Sequence, residues 1–385
     1  MHALLVSLIA PLVVTQAGSI RHVAVADFAY VLKTDGTVYG WGYEEHPLGL
    51  RPAGSHSSIK APTLLAFPKN FRKIYVSSSN GYGVTDSGQL YAWGDNGWWQ
   101  LGNHEKGPEP PAGQYGKDSV SPVLVPAIDN VVQVAPTLRY VLALDSAGQV
   151  MSWGSMGDGT RSKTFAQPVV VKGLPPIKQI AASTNHCLAL DTAGNVWAWG
   201  DKNDWGELGH NRLNELFRPT KVEGLANVVS IAAGGGWINA SGAVKSDGTV
   251  WVWGGNQSGM MGNGKNPVLG EPGSINRKPI QVKGITNAKA IRMGSGHVGV
   301  ILGDGTLRMW GHDGWGQIGV GTSGYYQLTP KQPKITNVKE LYIGGNKNIA
   351  VKSDGTLWFW GPGFRNGTGT VGRDHKVPVQ VILPK

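Results

Sequence analysis

Ten histidines are the first candidates for chemistry in this chain, because imidazole can act as a metal ligand or as a general base. None of their pairs has the spacing of a metalloprotease or a zinc site. His186 and His297 occupy the same position in a repeated segment, which predicts a buried, hydrogen-bonded role for both. The ten are His2, His22, His46, His56, His104, His186, His210, His297, His312 and His375. The histidines therefore predict no metal site and no catalytic base.

Three further sequence features could indicate a phosphate-binding, dinucleotide-binding or nucleophilic site, and each is better explained without such a function. "GNGKN" at 262–266 resembles a phosphate-binding loop, but no Ser or Thr follows its Lys and no strand-to-helix context is expected. "GGG" at 234–236 lacks the spacing of a dinucleotide site. Cys187 lies among apolar residues in "HCLALD", which predicts a buried, inert thiol. We therefore predict a protein that is not an enzyme, with no cofactor, no metal and no catalytic residue.

Aromatic side chains in three similar loop segments are the best candidates for binding. Trp98, Trp205 and Trp315 lie in "NGWWQLG", "NDWGELG" and "DGWGQIG", and Trp99 replaces a Gly that the other two segments have. Tyr115 lies in a Pro- and Gly-rich insertion at 103–121. Because Trp often anchors interfaces, we interpret these five residues as contacts for a protein or glycan partner. The alternative is that each Trp folds back over its own turn.

The elements that must position these side chains follow from one repeated nonapeptide. "SDGTVWVWG" at 246–254 recurs six more times with variations, and each copy ends in Trp-Gly. A period of about 50 residues along a whole chain is typical of propellers and solenoids. Stacked copies form one architectural unit, which overrides the two or three domains that 385 residues would suggest. The seven terminal tryptophans are Trp41, Trp93, Trp153, Trp199, Trp253, Trp310 and Trp360.

Each copy of the repeat predicts four β-strands. In the fourth copy, "IKQIAA" and "HCLAL" are two strands, "DTAG" is a hairpin turn and "NVWAW" is a third strand. "RPTKVEG" is the fourth, introduced by a Pro that suits the outer edge of a sheet. Seven such copies predict an all-β, seven-bladed β-propeller. We expect the seven Trp to fill the wedges between blades, and the Gly to end each strand where a larger side chain would collide.

The repeat resembles that of a known family. "IAASTNHCLALDTAGNVWAWGDKNDWGELG" and "MGSGHVGVILGDGTLRMWGHDGWGQIGVG" look like the repeat of the regulator of chromosome condensation (RCC1) family. The resemblance extends from about Ile20 to the C-terminus and implies one propeller domain over 18–385. It implies little about activity, because one scaffold can host many functions.

The segment before the repeats predicts export. An apolar run covers 3–14, and Thr15 and Ala17 suit cleavage after Ala17. The run is too short to span a bilayer, although the segment before it has only His2 and no Lys or Arg. We expect a signal peptide over 1–17 and an extracytoplasmic or secreted protein. If this run is instead an ordinary buried strand, a cytoplasmic location follows.

Three functions remain open at this stage. The first is an exported, monomeric propeller that binds or scaffolds a macromolecule through loops on one face. The second is a guanine-nucleotide exchange factor for a small GTPase, which the founding member of the family resembles. The third is a secreted inhibitor of an extracellular hydrolase, a role that a secreted propeller of similar repeat has. The formal charge of +10 would also favour weak binding to anionic surfaces.

Overall fold

Seven antiparallel four-stranded sheets make up the computed structural model, one for each copy of the nonapeptide. The structure describes residues 19–44, 57–104, 114–155, 163–236, 238–265, 270, 272–322, 324–363 and 373–384. The predicted signal peptide lies outside these residues. Consecutive strands pair in each sheet, so every blade is built from one continuous stretch of chain. The prediction of a seven-bladed β-propeller is confirmed.

The strand bounds follow the repeat. Blade one holds β1 (Ile20–Val25), β2 (Phe28–Lys33), β3 (Val38–Glu44) and β4 (Ser57–Leu65), and blade two holds β5 (Phe71–Val76), β6 (Asn80–Thr85), β7 (Leu90–Gly94) and β8 (Ser119–Leu124). Blade three holds β9 (Val131–Pro136), β10 (Tyr140–Asp145), β11 (Val150–Ser155) and β12 (Thr164–Val170), and blade four holds β13 (Ile177–Ala182), β14 (His186–Asp191), β15 (Val196–Gly200) and β16 (Leu216–Lys221). Blade five holds β17 (Val228–Gly235), β18 (Asn239–Lys245), β19 (Val250–Gly255) and β20 (Ile275–Gln281). Blade six holds β21 (Ala288–Met293), β22 (His297–Leu302), β23 (Leu307–His312) and β24 (Tyr326–Lys331), and blade seven holds β25 (Val338–Gly344), β26 (Lys347–Lys352), β27 (Leu357–Gly361) and β28 (His375–Val381).

The Asp-Gly pairs make the hairpins between the second and third strands. In blade one the Gly36 N–H donates to the Lys33 carbonyl oxygen at 3.0 Å, and Gly36 has a φ of +82°. The Asp35 carboxylate accepts from both the backbone N–H and the hydroxyl of Thr37 at 2.9 and 2.6 Å. A left-handed residue followed by a side-chain cap is the geometry that Asp-Gly turns favour. The sequence "DGT" therefore fixes the register of the two central strands.

The fourth strand of each blade differs from the prediction, because the Pro stands inside the strand and does not lead it. β16 begins at Leu216 and Pro219 is its fourth residue. The pairing of β15 with β16 is irregular there, since Ala198 pairs with Thr220 but Gly200 pairs with Leu216. A bulge on an outer strand removes the need for the N–H that Pro lacks. The same irregularity recurs opposite every Trp-Gly pair.

The core consists of seven hydrophobic clusters, and each joins two neighbouring blades and contains one Trp of the nonapeptide. All seven of these tryptophans are at most 1% exposed. The cluster around Trp41 joins blade one to blade seven through Phe359 and Val381. β28 pairs with β27 and is the outer strand of the last blade. The ring therefore closes through side-chain packing between two complete blades. Among the described residues no helix has the length and apolar character needed to cross a membrane.

Candidate functional site

One end of the propeller carries all the candidate contact residues. In an antiparallel four-stranded blade, the turn between the first two strands and the loop between the last two lie at the same end of the sheet. We call this end the loop face. It contains the loops that follow each Trp-Gly, including Trp98, Trp205 and Trp315. The Asp-Gly hairpins lie at the opposite end.

A recurring turn shapes the loop face in blades two, four, five and six. Its first residue is Asn96, Asn203, Asn256 or Asp313, and the side-chain oxygen accepts from the backbone N–H five residues later at 3.0 Å in all four blades. In blade two the Gln100 side-chain oxygen also accepts from the Trp98 N–H at 2.8 Å. Glu207 and Gln317 accept in the same way from Trp205 and Trp315. Local hydrogen bonds of this kind replace regular secondary structure and hold the loop in one conformation.

The same turn is attached to the next blade through the core tryptophans. The indole N–H groups of Trp153, Trp253, Trp310 and Trp360 each donate to a main-chain oxygen of the preceding blade's turn, at 2.7–2.8 Å. A Cβ on Gly102 would lie 2.7 Å from the indole nitrogen of Trp153. The final Gly of the turn is therefore required by the neighbouring Trp. A rigid scaffold under a loop positions its outward side chains well for binding.

The structure separates the predicted contact tryptophans around the ring. Trp98 in blade two is 44% exposed and Trp315 in blade six is 43% exposed, whereas Trp205 in blade four is half-buried. One blade lies between each successive pair, so the three indoles form no single patch. Tyr115 is 77% exposed in the loop of blade two. Part of that loop, residues 105–113, lies outside the described residues.

Trp99 does not belong to the exposed surface. It is only 8% exposed, and its ring packs edge-on against His104 with the ring centroids 5.0 Å apart. Its φ is +64°, which is uncommon for a bulky residue, and Gly206 and Gly316 take the same left-handed conformation in blades four and six. The expectation of Trp99 as a partner contact is therefore corrected, because its indole is packed within its own loop.

Blade six carries an aromatic cluster that the repeat pattern does not predict. His312 lies 5.0 Å from the ring of Trp315, 5.6 Å from Tyr325 and 5.9 Å from Tyr326, measured between ring centroids. Tyr325 is 73% exposed. We call these four residues the blade-six cluster. "GYYQ" stands outside the repeated pattern, so only the path of the loop reveals that its two Tyr pack on His312.

Hydrogen bonds fix the protonation of His312. The backbone N–H of Trp315 donates to Oε1 of Gln317, so Nε2 of Gln317 is the amide group that lies 2.8 Å from Nδ1 of His312. An amide nitrogen can only donate, so Nδ1 accepts and Nε2 of the neutral ring carries the proton. Burial lowers the pKa of His312, which keeps the ring neutral at pH 7. The cluster thus combines two exposed aromatic faces with an N–H donor.

The two repeated histidines take structural positions. Nε2 of His186 lies 2.8 Å from the Ser241 hydroxyl, which in turn donates to the Glu207 carbonyl oxygen at 2.9 Å. Nε2 of His297 lies 2.8 Å from Oδ1 of Asn348. Burial lowers the pKa of His186 to about 3 and the pKa of His297 to about 4, so both rings are neutral. Burial raises the pKa of Cys187 to about 12, which leaves an unreactive thiol.

One carboxyl group of the recurring turn has an unusual environment. Glu207 stands where blades two and six have Gln100 and Gln317, and its side chain is fully buried. Burial, as the largest cause, raises the pKa of Glu207 to about 7. Within the described residues no group of three or more His, Cys, Asp or Glu side chains is arranged to hold a metal ion. Glu207 is therefore part of the turn itself and belongs to no group of potential metal ligands among the described residues.

The repeat matches a known family by sequence. The model of the regulator of chromosome condensation (RCC1) repeat matches residues 87–144, 193–237 and 247–301, and a second model of that repeat matches 177–204. Human E3 ubiquitin-protein ligase HERC2 is 28% identical over 353 residues, which cover 76% of this chain and 7% of that protein. The Arabidopsis thaliana ultraviolet-B receptor UVR8 is 27% identical over 74% of this chain and 63% of its own length. The chain thus spans less than two thirds of either relative.

Solved structures carry the same architecture. Prp20p from Saccharomyces cerevisiae superposes with a TM-score of 0.76 at 23% identity, over 91% of this chain and 87% of that one. Human WBSCR16 superposes with a TM-score of 0.71 at 21% identity, over 86% of each chain. At such identities the likeness concerns the fold alone. The chain therefore contains repeats of the regulator of chromosome condensation (RCC1) type and has the fold of the solved propellers that carry them.

Proposed function

We propose that this chain is a non-enzymatic propeller that binds a protein partner through its loop face, with the blade-six cluster at the centre of the contact. The observation that carries the proposal is the packing of His312 against Trp315, Tyr325 and Tyr326, which leaves Trp315 and Tyr325 exposed. Aromatic side chains that are held rigid lose little entropy on binding and are the commonest interface anchors. Within the described structure, no other role is evident for the exposed rings of Trp315 and Tyr325.

The comparisons support a macromolecular partner as a class. The structure of Prp20p was described together with its binding to Gsp1p and histones. We carry over only the kind of partner, a protein, because the likeness to Prp20p is one of fold. The proposal also includes export, which rests on the apolar segment at 3–14 and the cleavage pattern that ends at Ala17.

The experiment compares two matched double variants. Trp315→Ala with Tyr325→Ala removes the exposed rings of blade six, and Trp98→Ala with Tyr115→Ala removes exposed rings of blade two on the same face. A partner is captured from the native source with the wild-type chain, identified by mass spectrometry and purified. Its affinity for each variant is then measured by calorimetry, and the N-terminus of the native chain is determined from the same material.

We expect the blade-six variant to weaken binding by about 2 kcal/mol per anchor removed and the blade-two variant to change it little. Equal affinity for all three proteins, or a loss confined to blade two, would overturn the proposed site. Accelerated nucleotide release from a captured GTPase would indicate an exchange factor, and inhibition of a captured hydrolase would indicate an inhibitor. A native chain that still carries Met1 would reject export.

A further inference from the structure

The first strands of the blades surround a central cavity that the loop-face site does not use. Its volume is about 600 Å³, and its lining comes from the first strands of all seven blades. Lys73, Lys178 and Arg292 are among the lining residues, together with His22, Tyr75 and Tyr342, and no Asp or Glu lines the described wall. A concave site with cations and no carboxylates favours an anion.

A row of hydrogen bonds joins neighbouring blades on one side of this cavity. At equivalent register positions, the side chain of Lys73 donates to the Val132 carbonyl at 2.9 Å and that of Gln133 donates to the Ile180 carbonyl at 2.8 Å. Gln179 donates likewise to Ile231 at 3.0 Å, and the Ser230 hydroxyl accepts from the Ile291 N–H at 3.3 Å. These bonds run from blade two to blade six.

This row of hydrogen bonds between blades stops at blade six. Ala290 occupies the equivalent position there and has no side-chain polar group. Arg292, two residues further along, lines the cavity and makes one described side-chain hydrogen bond, from Nη1 to the neighbouring Ile291 carbonyl. Lys73 likewise uses one of its three N–H groups on Val132. Burial lowers the pKa of both Lys73 and Arg292, which reflects incomplete compensation of two cations.

The carboxylate that acts on Arg292, Glu340, already has partners of its own. Glu340 accepts a hydrogen bond from the Tyr342 hydroxyl, and its other oxygen lies 3.9 Å from Nζ of Lys339. Glu340 favours the charged form of Arg292, but burial has the larger effect on the pKa of Arg292. Both cations therefore keep free N–H donors toward the cavity.

His22 supplies a hydrogen-bond acceptor, whereas Lys73 and Arg292 supply donors. Burial and the charges of Lys73 and Arg292 lower the pKa of His22 to about 4, while a backbone hydrogen bond at Ile74 raises it. Nδ1 of His22 is buried and has no described hydrogen-bond partner, so we assign the proton of the neutral ring to Nε2. Nδ1 is then a buried acceptor without a donor, next to cations that need acceptors.

We propose that this cavity binds a phosphate group, as inorganic phosphate or as a small phosphomonoester. At about pH 6, near the second pKa of a phosphomonoester, a phosphate group carries charged oxygens and, in about half of the molecules or more, a P–OH. Its charged oxygens accept from Lys73 and Arg292, and its P–OH donates to Nδ1 of His22. Sulfate has the same shape but no hydroxyl at this pH. The site should therefore distinguish phosphate from sulfate, which a merely basic surface does not.

Binding is measured by calorimetry on the full chain at about pH 6 and low salt, with inorganic phosphate, phenyl phosphate and sulfate as probes. Phosphate should bind at least tenfold more tightly than sulfate. Tighter binding of phenyl phosphate would identify a phosphomonoester as the preferred source, since Tyr75 and Tyr342 would contact its ring, and tighter binding of inorganic phosphate would identify the free ion. No phosphate binding at millimolar concentration, or equal binding of phosphate and sulfate, would overturn the proposal without any variant being made.

Variants then assign the contacts. Arg292→Met and Lys73→Met should each weaken phosphate binding at least tenfold, whereas Lys172→Met, at an exposed position, removes the same charge and should stay within twofold. His22→Phe should abolish the preference for phosphate over sulfate and leave sulfate binding within about threefold. An equal loss in Lys172→Met would mean that only the net charge attracts the anion. Thermal melting of each variant without ligand controls for misfolding.

Discussion

At the scale of single residues, one oxygen in place of an amide nitrogen changes the electrostatics of a repeated turn. Gln100, Glu207 and Gln317 all accept a hydrogen bond from the backbone N–H two residues earlier. The amides of Gln100 and Gln317 also donate, to Leu138 and His312 respectively. Oε1 of Glu207 makes no hydrogen bond of normal length, and the Asn239 side chain offsets only part of the effect of burial on the pKa of Glu207. A buried carboxylate that is incompletely hydrogen-bonded is costly unless it is protonated.

Glu207→Gln should therefore remove a pH dependence of stability. The pKa of Glu207 is about 7 in the folded chain against an ordinary value of 4.5, so the folded state binds more protons between these two values. The contribution of Glu207 to stability then falls as the pH rises from about 4.5 to about 7, by up to about 3 kcal/mol. Burial lowers the pKa of His22, His186 and His297 from 6.5 to about 4, 3 and 4, so these histidines make stability rise with pH in the wild type and the variant alike. Urea unfolding between pH 4.5 and pH 8 should therefore show the effect of Glu207 as a difference, with Glu207→Gln gaining up to about 3 kcal/mol relative to the wild type as the pH rises.

Glu223→Gln, at an exposed position of the same blade, is the charge-matched control and should keep the wild-type pH profile of stability. Gln is the natural residue at the position of Glu207 in two other blades, so Glu207→Gln fits the turn without rearrangement. A pH profile of Glu207→Gln parallel to that of the wild type would show that Glu207 does not titrate in this range.

Sequence reasoning reaches some of these residues and not others, for a physical reason. The seven Trp and their Gly neighbours recur with a period, so their shared role could be predicted from the sequence alone. His312, Tyr325 and Tyr326 belong to no repeated pattern, and the path of one loop brings them together. The burial of Trp99 depends equally on a local contact, with His104. Periodicity predicts what all blades share, whereas binding sites arise where single blades differ.

At the scale of secondary-structure elements, the Gly of each Trp-Gly pair lies beside the start of the second strand. It ends the third strand in blades two, four and seven, whereas in the other four blades the strand continues for one or two residues, which corrects the prediction that the Gly ends every strand. Gly94 has a φ of +110°, and a Cβ added there would lie 2.2 Å from the carbonyl oxygen of Ser79. Gly42, Gly154, Gly254 and Gly311 show the same combination of positive φ and close backbone. The prediction that a larger side chain would collide at this point agrees with these distances. The bulge around each Pro was not foreseen, because a sequence does not show which residues of an edge strand leave the pairing.

Comparing Gly94→Ala with Gly284→Ala should separate the cost of a steric clash from the cost of a left-handed backbone conformation. Gly284 has a φ of +76° but nothing within 4 Å of an added Cβ, so Gly284→Ala incurs only the left-handed strain of about 1 kcal/mol. Gly94→Ala adds the clash with Ser79 and should cost more than about 3 kcal/mol or prevent folding. Thermal unfolding of both variants measures the difference. Similar melting temperatures would mean that the strand ends shift freely and that the pair is not fixed by packing.

At the scale of the whole molecule, the ring is closed between two complete blades and not by a strand that they share. No described strand of one blade pairs with a strand of another. The interface between blades seven and one must then be as strong as each of the other six, since a ring opens at its weakest interface. Its cluster is built around one buried Trp as the others are, with Trp41 against Phe359, Val381 and Leu383. Lys347 adds a hydrogen bond across this interface, from Nζ to the Asp27 carbonyl at 2.6 Å.

Trp41→Ala tests whether this closing interface carries its share of the stability. Trp41 and Trp199 are each 1% exposed and occupy equivalent positions, at the closing interface and between blades three and four. Emptying either wedge should cost about 3–5 kcal/mol, because the surrounding strands relax only partly into the cavity. Chemical unfolding of Trp41→Ala and Trp199→Ala should therefore give losses that agree within about 1 kcal/mol. A much smaller loss in Trp41→Ala would mean that the ring is already open between blades seven and one in solution. A much larger loss would mean that closure is the step on which the other six interfaces depend.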